Sequence, residues 1–176
     1  ENVIIATKFA GDMGEGPMKR GGSRKYIIEA VEDSLRRLDT DYIDLYQMHF
    51  PDLHTPIEET MRALDDLVRQ GKVRYLGHSN FTGWLIAHTH HVAMRDALNP
   101  FISAQNHFHL LNREVQPDVQ PACEKFGLGI LPYFPSKLGL WRVLSGLGRA
   151  TAGTFRRSRR GLLRLHRGFP CQMRST

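Results

Sequence analysis

The chain has 176 residues, of which 41% are hydrophobic and 24% are charged, the composition of an ordinary globular protein. No apolar run approaches the roughly 18 residues of a membrane span, so we expect no membrane-spanning helix. The net charge of +6 does not belong to the whole chain, since residues 141–176 contain nine arginines and no acid. Residues 1–140 carry fifteen basic and eighteen acidic residues.

The first residues, ENVIIATKF, contain neither a basic leader nor a small-residue cleavage site, and no initiator methionine precedes them. We therefore expect a chain that starts inside a strand, as a processed product, a cloned segment or a partial gene model would. Cys123 and Cys171 lie far apart and form no CxxC or Cys/His pattern. This spacing argues against a disulfide framework and favours the reducing cytoplasm.

Five short runs rich in β-branched residues predict strands. They are VIIATKF (3–9), YIDLYQMH (42–49), VRYLGHS (73–79), FISAQNHF (101–108) and LGILPYF (128–134). The strand starts recur about every 30 residues, the length of a βα unit, and helical patterns separate the runs. This order predicts a parallel sheet with right-handed crossovers.

Four amphipathic patterns predict helices between the strands. The first follows Ser23, an expected N-cap, and the second opens with Thr55 as N-cap and Pro56 in the first turn, and stops at Gly71. Cys123 lies on the apolar side of the fourth pattern and is predicted to be a small core residue. The predicted helices cover 24–38, 56–70, 82–98 and 115–126.

An open doubly wound sheet and a (β/α)8 barrel both fit alternating strands and helices. No GxGxxG motif opens a helix, and the stretch GDMGEGPMKRGG (11–22) is too long for a phosphate-gripping turn, which weakens the dinucleotide-binding alternative. A complete barrel usually needs about 250 residues. The pattern therefore favours an incomplete barrel of about five parallel strands and four helices.

Each predicted strand ends in a polar group, and in a barrel these ends converge on the face that carries active sites. A lone lysine or histidine at a strand end is more often a satisfied surface or core-edge group. Five coincident strand ends favour a functional site. The groups are Lys8, His49, the pair Ser79 and Asn80, the pair Gln105 and Asn106, and Tyr133.

Two of these groups have a plain structural alternative. Ser79 and Asn80 could cap the helix that begins near Thr82. Tyr133 could be an aromatic residue at the edge of the core.

The run HTHH on the third helix contains His88, His90 and His91. Only His88 and His91 share a helix face, and no cysteine or carboxylate accompanies them, so we expect a solvated surface and no metal site.

Several segments in order resemble the aldo-keto reductase family over residues 1–135. They are IIATKF, EAVEDSLRRLDTDYIDLYQMHFPD, TPIEETMRALDDLVRQGKVRYLGHSNF, SAQNHFHLLNR and ACEKFGLGILPYFP. The most specific parts are DYIDLYQMH and GKVRYLGHSN, which occur at the family spacing. The subgroup that the chain resembles most contains the bacterial general aldo-keto reductases and the potassium-channel β-subunits.

The resemblance implies an α/β fold, a (β/α)8 TIM barrel of which this chain carries strands three to seven. It also implies NADPH-dependent reduction of a small aldehyde or ketone to an alcohol. The family uses an Asp, a Tyr, a Lys and a His. Lys8 matches the lysine that lowers the pKa of the tyrosine, and His49 matches the histidine that directs a ring N–H at the carbonyl oxygen.

The same resemblance implies a set of cofactor contacts. Ser79, Asn80 and Gln105 match the groups that hydrogen-bond the nicotinamide carboxamide. Tyr133 matches the aromatic residue that stacks under the nicotinamide ring.

Two departures from the family pattern bear on activity. The Asp and the Tyr, which is the proton donor, have no counterpart in this chain, and the family's continuation after Pro135, including the loop that holds the adenosine 2′-phosphate, is replaced. We therefore expect the isolated chain to be inactive. The alternatives are a non-catalytic NADPH-binding regulatory module and a truncated, non-functional product.

The sequence predicts two regions, a partial barrel over 1–140 and an arginine-rich tail over 141–176 that is disordered or the product of a shifted reading frame. A basic arm for nucleic acid or an anionic surface is the alternative, through FRRSRRGLLRLHR (155–167), and an amphipathic helix is another. The tail shows no aromatic interleaving, so we expect no specific nucleic-acid partner. The sequence defines no oligomeric state.

Overall fold

A computed structural model describes residues 3–16 and 19–135, in which strands and helices alternate along the chain. The strands are β1 (Ala6–Phe9), β2 (Ile43–Met48), β3 (Val73–Ser79), β4 (Phe101–Gln105) and β5 (Gly129–Ile130). The helices are α1 (Arg24–Leu38), α2 (Ile57–Arg69), α3 (Gly83–Arg95) and α4 (Val119–Phe126). The predicted tail over 141–176 lies outside the described residues, so its assignment stays a prediction.

The five strands form one parallel sheet in the order β1-β2-β3-β4-β5. Each crossover adds the next strand on the same side, which is the order of a barrel, whereas a doubly wound sheet reverses direction at a switch point. The prediction of an α/β fold with five parallel strands and four helices, as in part of a TIM barrel, is confirmed.

Four of the five strands are shorter than predicted, and only β3 keeps its predicted bounds. β1 begins at Ala6, and Val3 and Ile4 before it are 80% and 78% exposed. β5 has only two residues, although the N–H groups of Leu131 and Tyr133, on either side of Pro132, still donate to the carbonyls of Ala104 and Asn106. Pairing resumes one residue later at an isolated bridge between Tyr133 and His107.

The caps of the first two helices differ in how well the sequence predicts them. The Ser23 hydroxyl accepts a hydrogen bond from the Tyr26 N–H, so the predicted cap of α1 is confirmed. The predicted cap of α2 is wrong, because Pro56 occupies that position and makes no side-chain cap. The Thr55 hydroxyl instead donates to Asp52 Oδ2 at 2.7 Å.

Three helices are shorter than predicted, and α2 loses only one residue at each end. α3 ends at Arg95 rather than residue 98, and Ala97 adopts a left-handed conformation with φ of 52°. α4 begins at Val119, because residues 114–118 form turns and Asp118 bonds the N–H of Gly83 at the start of α3.

The core lies between the helices and one face of the sheet. Strand residues on this face include Tyr46, Met48, Leu76 and Ala104, all at most 1% exposed. Cys123 is 1% exposed, which confirms the core prediction. In the part of the chain that the structure describes, no helix is both long enough and apolar enough to cross a membrane.

Candidate functional site

A bulge in β4 turns polar side chains to the face of the sheet opposite the helices. Leu76 pairs with Phe101 but Gly77 pairs with Ser103, so Ile102 is the extra residue. A bulge of this kind re-aims the residues that follow it. Ser103 and Gln105 therefore share the face of Gly77, and a Cβ on Gly77 would lie 2.4 Å from Ser103 Oγ.

Lys8 and His49 lie at the carboxyl ends of neighbouring strands. The register places Lys8 beside Gln47, and the His49 N–H donates to the Phe9 carbonyl at 2.9 Å just beyond the end of β2. Burial and the positive charge of Lys8 both lower the pKa of His49. A neutral imidazole keeps one N–H to donate at neutral pH.

Two neighbours limit the position of the His49 ring. Phe50 stacks on the imidazole, with ring centroids 4.2 Å apart and planes inclined by 23°. The glycine-rich loop, of which the structure describes residues 11–16 and 19–22, passes beside the imidazole. A Cβ on Gly11 would lie 3.5 Å from His49 Nδ1. The Tyr26 hydroxyl donates to the carbonyl of Gly11 at 3.3 Å and so holds this loop. The sequence patterns indicated neither contact.

Ser79 and Asn80 do not cap α3. The Ser79 hydroxyl donates to the Gln105 carbonyl at 2.8 Å, and Asn80 Nδ2 bonds the His49 carbonyl at 3.0 Å. Thr82 caps α3 with its own hydroxyl. The capping alternative is therefore wrong, and both side chains connect the strand ends to one another.

Gln47 is a site neighbour that the sequence analysis did not single out. It is 3% exposed on the apolar strand β2, and its Nε2 donates to Gln105 Oε1 at 3.2 Å. A polar residue in an otherwise apolar strand was the signal available. The bond leaves Gln105 Nε2 without a hydrogen bond to any other described residue, as a donor at the end of β4.

Tyr133 closes the site at the end of β5. Its hydroxyl donates to Asn80 Oδ1 at 2.8 Å, and its N–H donates to the Asn106 carbonyl at 3.1 Å. The ring stacks on His107 with centroids 5.3 Å apart and planes inclined by only 8°. Tyr133 is half-buried, which fits both a site residue and an aromatic residue at the edge of the core, so its place in the site stays a prediction.

The polar groups at the strand ends fit the carboxamide of a nicotinamide. A carboxamide offers one acceptor and two donors. Gln105 Nε2 is a donor without a partner in the described part of the chain, and Asn80 Oδ1 keeps one lone pair after its bond to Tyr133. The Ser103 hydroxyl, 6% exposed, has no hydrogen-bond partner among the described residues.

The histidines of α3 pack against aromatic rings. His88 lies 4.7 Å from Trp84, and His90 and His91 lie 4.5 Å and 5.6 Å from Phe126, between ring centroids. His88 and His90 are half-buried, so the predicted solvated surface holds only for His91. Within 3–16 and 19–135, no three His, Cys, Asp or Glu residues are grouped as metal ligands.

Comparison with known proteins shows which family the chain is similar to. The sequence profile of the Aldo/keto reductase family matches residues 1–157, beyond the predicted boundary at 140. The chain is 37% identical over 172 residues to the oxidoreductase YrpG of Bacillus subtilis. This match covers 95% of the present chain and 52% of YrpG.

Two fungal proteins are similar over a shorter stretch. The aldo-keto reductase AMT2 of Alternaria alternata is 44% identical over 119 residues, which is 68% of this chain and 32% of that protein. The versiconal hemiacetal acetate reductase of Aspergillus parasiticus is 42% identical over 119 residues, 68% of this chain and 34% of the reductase. The chain thus spans from about a third to about half the length of these relatives. It belongs to the aldo-keto reductase family.

Proposed function

We propose that this chain provides the nicotinamide side of an NADPH-dependent carbonyl reductase site, together with its lysine and histidine. The observation that carries the proposal is the pairing of Lys8 with His49, whose pKa is lowered by burial and by the charge of Lys8. A perturbed histidine beside a cation at the carboxyl ends of parallel strands is typical of an active site in this fold.

Three side chains would hold the carboxamide of NADPH. Gln105 Nε2 donates to its oxygen, while Ser79 and Asn80 fix the neighbouring edge, and Tyr133 lies against the ring. When bound, the cofactor supplies a hydride for the carbonyl carbon of a small aldehyde or ketone. The preference for NADPH over NADH is part of this proposal.

His49 and Lys8 would act on the carbonyl oxygen. The neutral imidazole donates its N–H to this oxygen as negative charge develops there, and the ammonium group of Lys8 stabilises the same charge. Lys8 also keeps His49 neutral, because a second positive charge beside it is unfavourable. The two residues therefore orient and polarise the carbonyl group.

The proton itself needs another donor. The aspartate and tyrosine that the family uses have no counterpart in this chain, so we propose that the chain alone binds NADPH and does not turn over. The two cysteines lie far apart and form no CxxC pattern, which supports the proposal that the chain acts in the reducing cytoplasm.

The test is a titration of the purified 176-residue chain with NADPH and with NADH, followed by the nicotinamide fluorescence, and then addition of 4-nitrobenzaldehyde. We expect saturable binding, tighter for NADPH, and no consumption of NADPH above the protein-free rate. Gln105→Leu should weaken binding, whereas Gln116→Leu on the exposed loop after β4 should not. Absence of saturable binding would refute the cofactor site, and turnover like that of a complete reductase would refute the inactivity.

A further inference from the structure

Asn80 occupies a strained position directly after β3. Its φ of 61° lies in the left-handed region, which asparagine tolerates better than most residues. Its backbone N–H donates to the Gln105 carbonyl at 3.0 Å, which fixes the turn. The side chain of Asn80 is therefore held at the junction between the strand ends.

The amide of Asn80 connects three strand ends. Its Nδ2 donates to the His49 carbonyl at 3.0 Å and to Ser79 Oγ at 3.1 Å, and its Oδ1 accepts from the Tyr133 hydroxyl at 2.8 Å. Both amide protons are thereby used, and one lone pair of Oδ1 remains. A single side chain thus links β2, β3 and the segment after β5.

His49 depends on this amide for its backbone position. It lies one residue beyond β2, and its own N–H is bonded to Phe9. The bond from Asn80 fixes the carbonyl side of the same residue. Both peptide groups of His49 are therefore bonded, and Phe50 stacks on its ring.

We propose that Asn80 is a positioning residue, which fixes His49 and Tyr133 relative to each other through its side-chain amide. This inference rests on the proposed function, because it takes His49 as the group that orients the carbonyl and Tyr133 as the aromatic beside the nicotinamide. It assigns to Asn80 a role within the protein, in addition to the contact with the carboxamide under the proposed function.

The test needs neither cofactor nor turnover. Glycine tolerates positive φ, so Asn80→Gly removes the amide without adding backbone strain. We would titrate the imidazole signals of the full chain by NMR and assign His49 with His49→Gln. We expect Asn80→Gly to shift the His49 signals and to raise its pKa toward the ordinary value of 6.5, because a freed ring moves away from Lys8 and into solvent.

A matched control is Asn106→Ala at the end of β4. The Asn106 side-chain amide also bonds a backbone carbonyl, that of Phe81 at 3.1 Å. Within the described residues this side chain bonds neither His49 nor Tyr133, and the bond from the Tyr133 N–H goes to the Asn106 backbone carbonyl, which the substitution keeps. The inference is overturned if Asn80→Gly leaves the His49 titration unchanged, or if Asn106→Ala changes it equally.

A wild-type measurement covers the case in which Asn80→Gly does not fold. The side-chain amide protons of Asn80 should exchange with solvent much more slowly than those of the exposed Gln70. Equal exchange rates would overturn the inference. Failure of NADPH to bind the wild type would refute the proposed function alone, since the His49 titration and the exchange rates are measured without cofactor.

Discussion

Burial of the His49 imidazole and the positive charge of Lys8, across the boundary between β1 and β2, both lower the pKa of His49. The two residues are 41 positions apart in the sequence, and the parallel register brings their strand ends together. At neutral pH the imidazole is therefore neutral, which is the form that can donate a hydrogen bond without adding a charge.

Replacement of Lys8 by methionine should raise the pKa of His49. The ammonium group disfavours the imidazolium form, so its removal makes protonation easier and moves the pKa toward 6.5. NMR titration of the assigned His49 signals measures the change. Lys25→Met, an exposed change on α1, is the control and should leave His49 unaffected. An unchanged His49 in Lys8→Met would contradict the pairing.

His78 should be replaceable by leucine with a gain in stability. The imidazole is fully buried, stacks on Phe81 at 4.4 Å, and neither ring nitrogen has a hydrogen-bond partner within the described residues. An unsatisfied buried polar group costs about 1–3 kcal/mol. His78→Leu should raise the free energy of unfolding by a similar amount in urea denaturation, whereas the half-buried His88→Leu should change it little. A lower stability for His78→Leu would show that the imidazole has a partner after all.

His78 also predicts how stability depends on pH. Burial lowers its folded-state pKa to about 3 from an ordinary value of 6.5, so the unfolded chain takes up the proton first. Above pH 6.5 the imidazole is neutral in both states and adds no pH dependence; as the pH falls from 6.5 toward 3, only the unfolded chain takes up the proton, so the folded state loses stability. Melting temperatures of wild type and His78→Leu should diverge increasingly over this window. If the two melting temperatures changed in parallel with pH, the lowered pKa of His78 would be contradicted.

Gly83 should not tolerate alanine, although alanine is the better helix former. A Cβ on Gly83 would lie 2.4 Å from the Asp118 carbonyl oxygen, and this backbone atom cannot rotate away. Overpacking of this kind costs about 1–3 kcal/mol. Gly83→Ala should lower the melting temperature, whereas Trp84→Ala, at an exposed position one residue further along α3, should not. A neutral or stabilising Gly83→Ala would mean that α3 and the turn before α4 are less closely packed.

Asp52 should control the glycine-rich loop beside His49. Its carboxylate accepts from the Gly22 N–H at 2.8 Å and from the Thr55 hydroxyl at 2.7 Å. Burial alone would raise the pKa of Asp52, but these bonds outweigh it and the pKa is lowered. Asp52→Ala removes the bond to the Gly22 N–H and should therefore raise the rate of tryptic cleavage after Arg20. Mass spectrometry of the digest measures this rate.

The control for this change is Asp12→Ala in the same loop. Asp12 is exposed, and the one bond that it accepts from the described residues is local, from the Gly14 N–H at 3.3 Å. Its removal should leave cleavage after Arg20 unchanged. Equal rates in the wild type and in Asp52→Ala would mean that Asp52 does not hold the loop.

Local signals explain which elements the sequence predicts well. Both ends of α1 match the prediction, because Ser23 caps the helix within its own turn. The length of β5 and the bulge at Ile102 depend on pairing with a distant strand, which periodicity does not contain. Thr55 was expected to cap α2 by accepting a backbone N–H, but Pro56 occupies the cap position and the Thr55 hydroxyl donates to Asp52.

In the candidate site, too, the sequence predicts the residues but not the contacts that they make with distant parts of the chain. Polar residues at strand ends and the family resemblance predict the six proposed site residues, and five strands in parallel order are enough to bring such ends together. The bond between Asn80 and Tyr133, 53 residues apart, could not be read from spacing. Nor could the bond between Gln47 and Gln105, since it requires the bulge that re-aims β4.

The most direct measurement of the central claim is an NMR titration of the full chain with NADPH, observing the side-chain amides of glutamine. NADPH should shift the Gln105 amide signals, because Gln105 Nε2 is the donor offered to the carboxamide. The amide of Gln70, exposed at the opposite end of the sheet, should not shift. No shift at Gln105, or equal shifts at Gln105 and Gln70, would contradict a nicotinamide site at the strand ends.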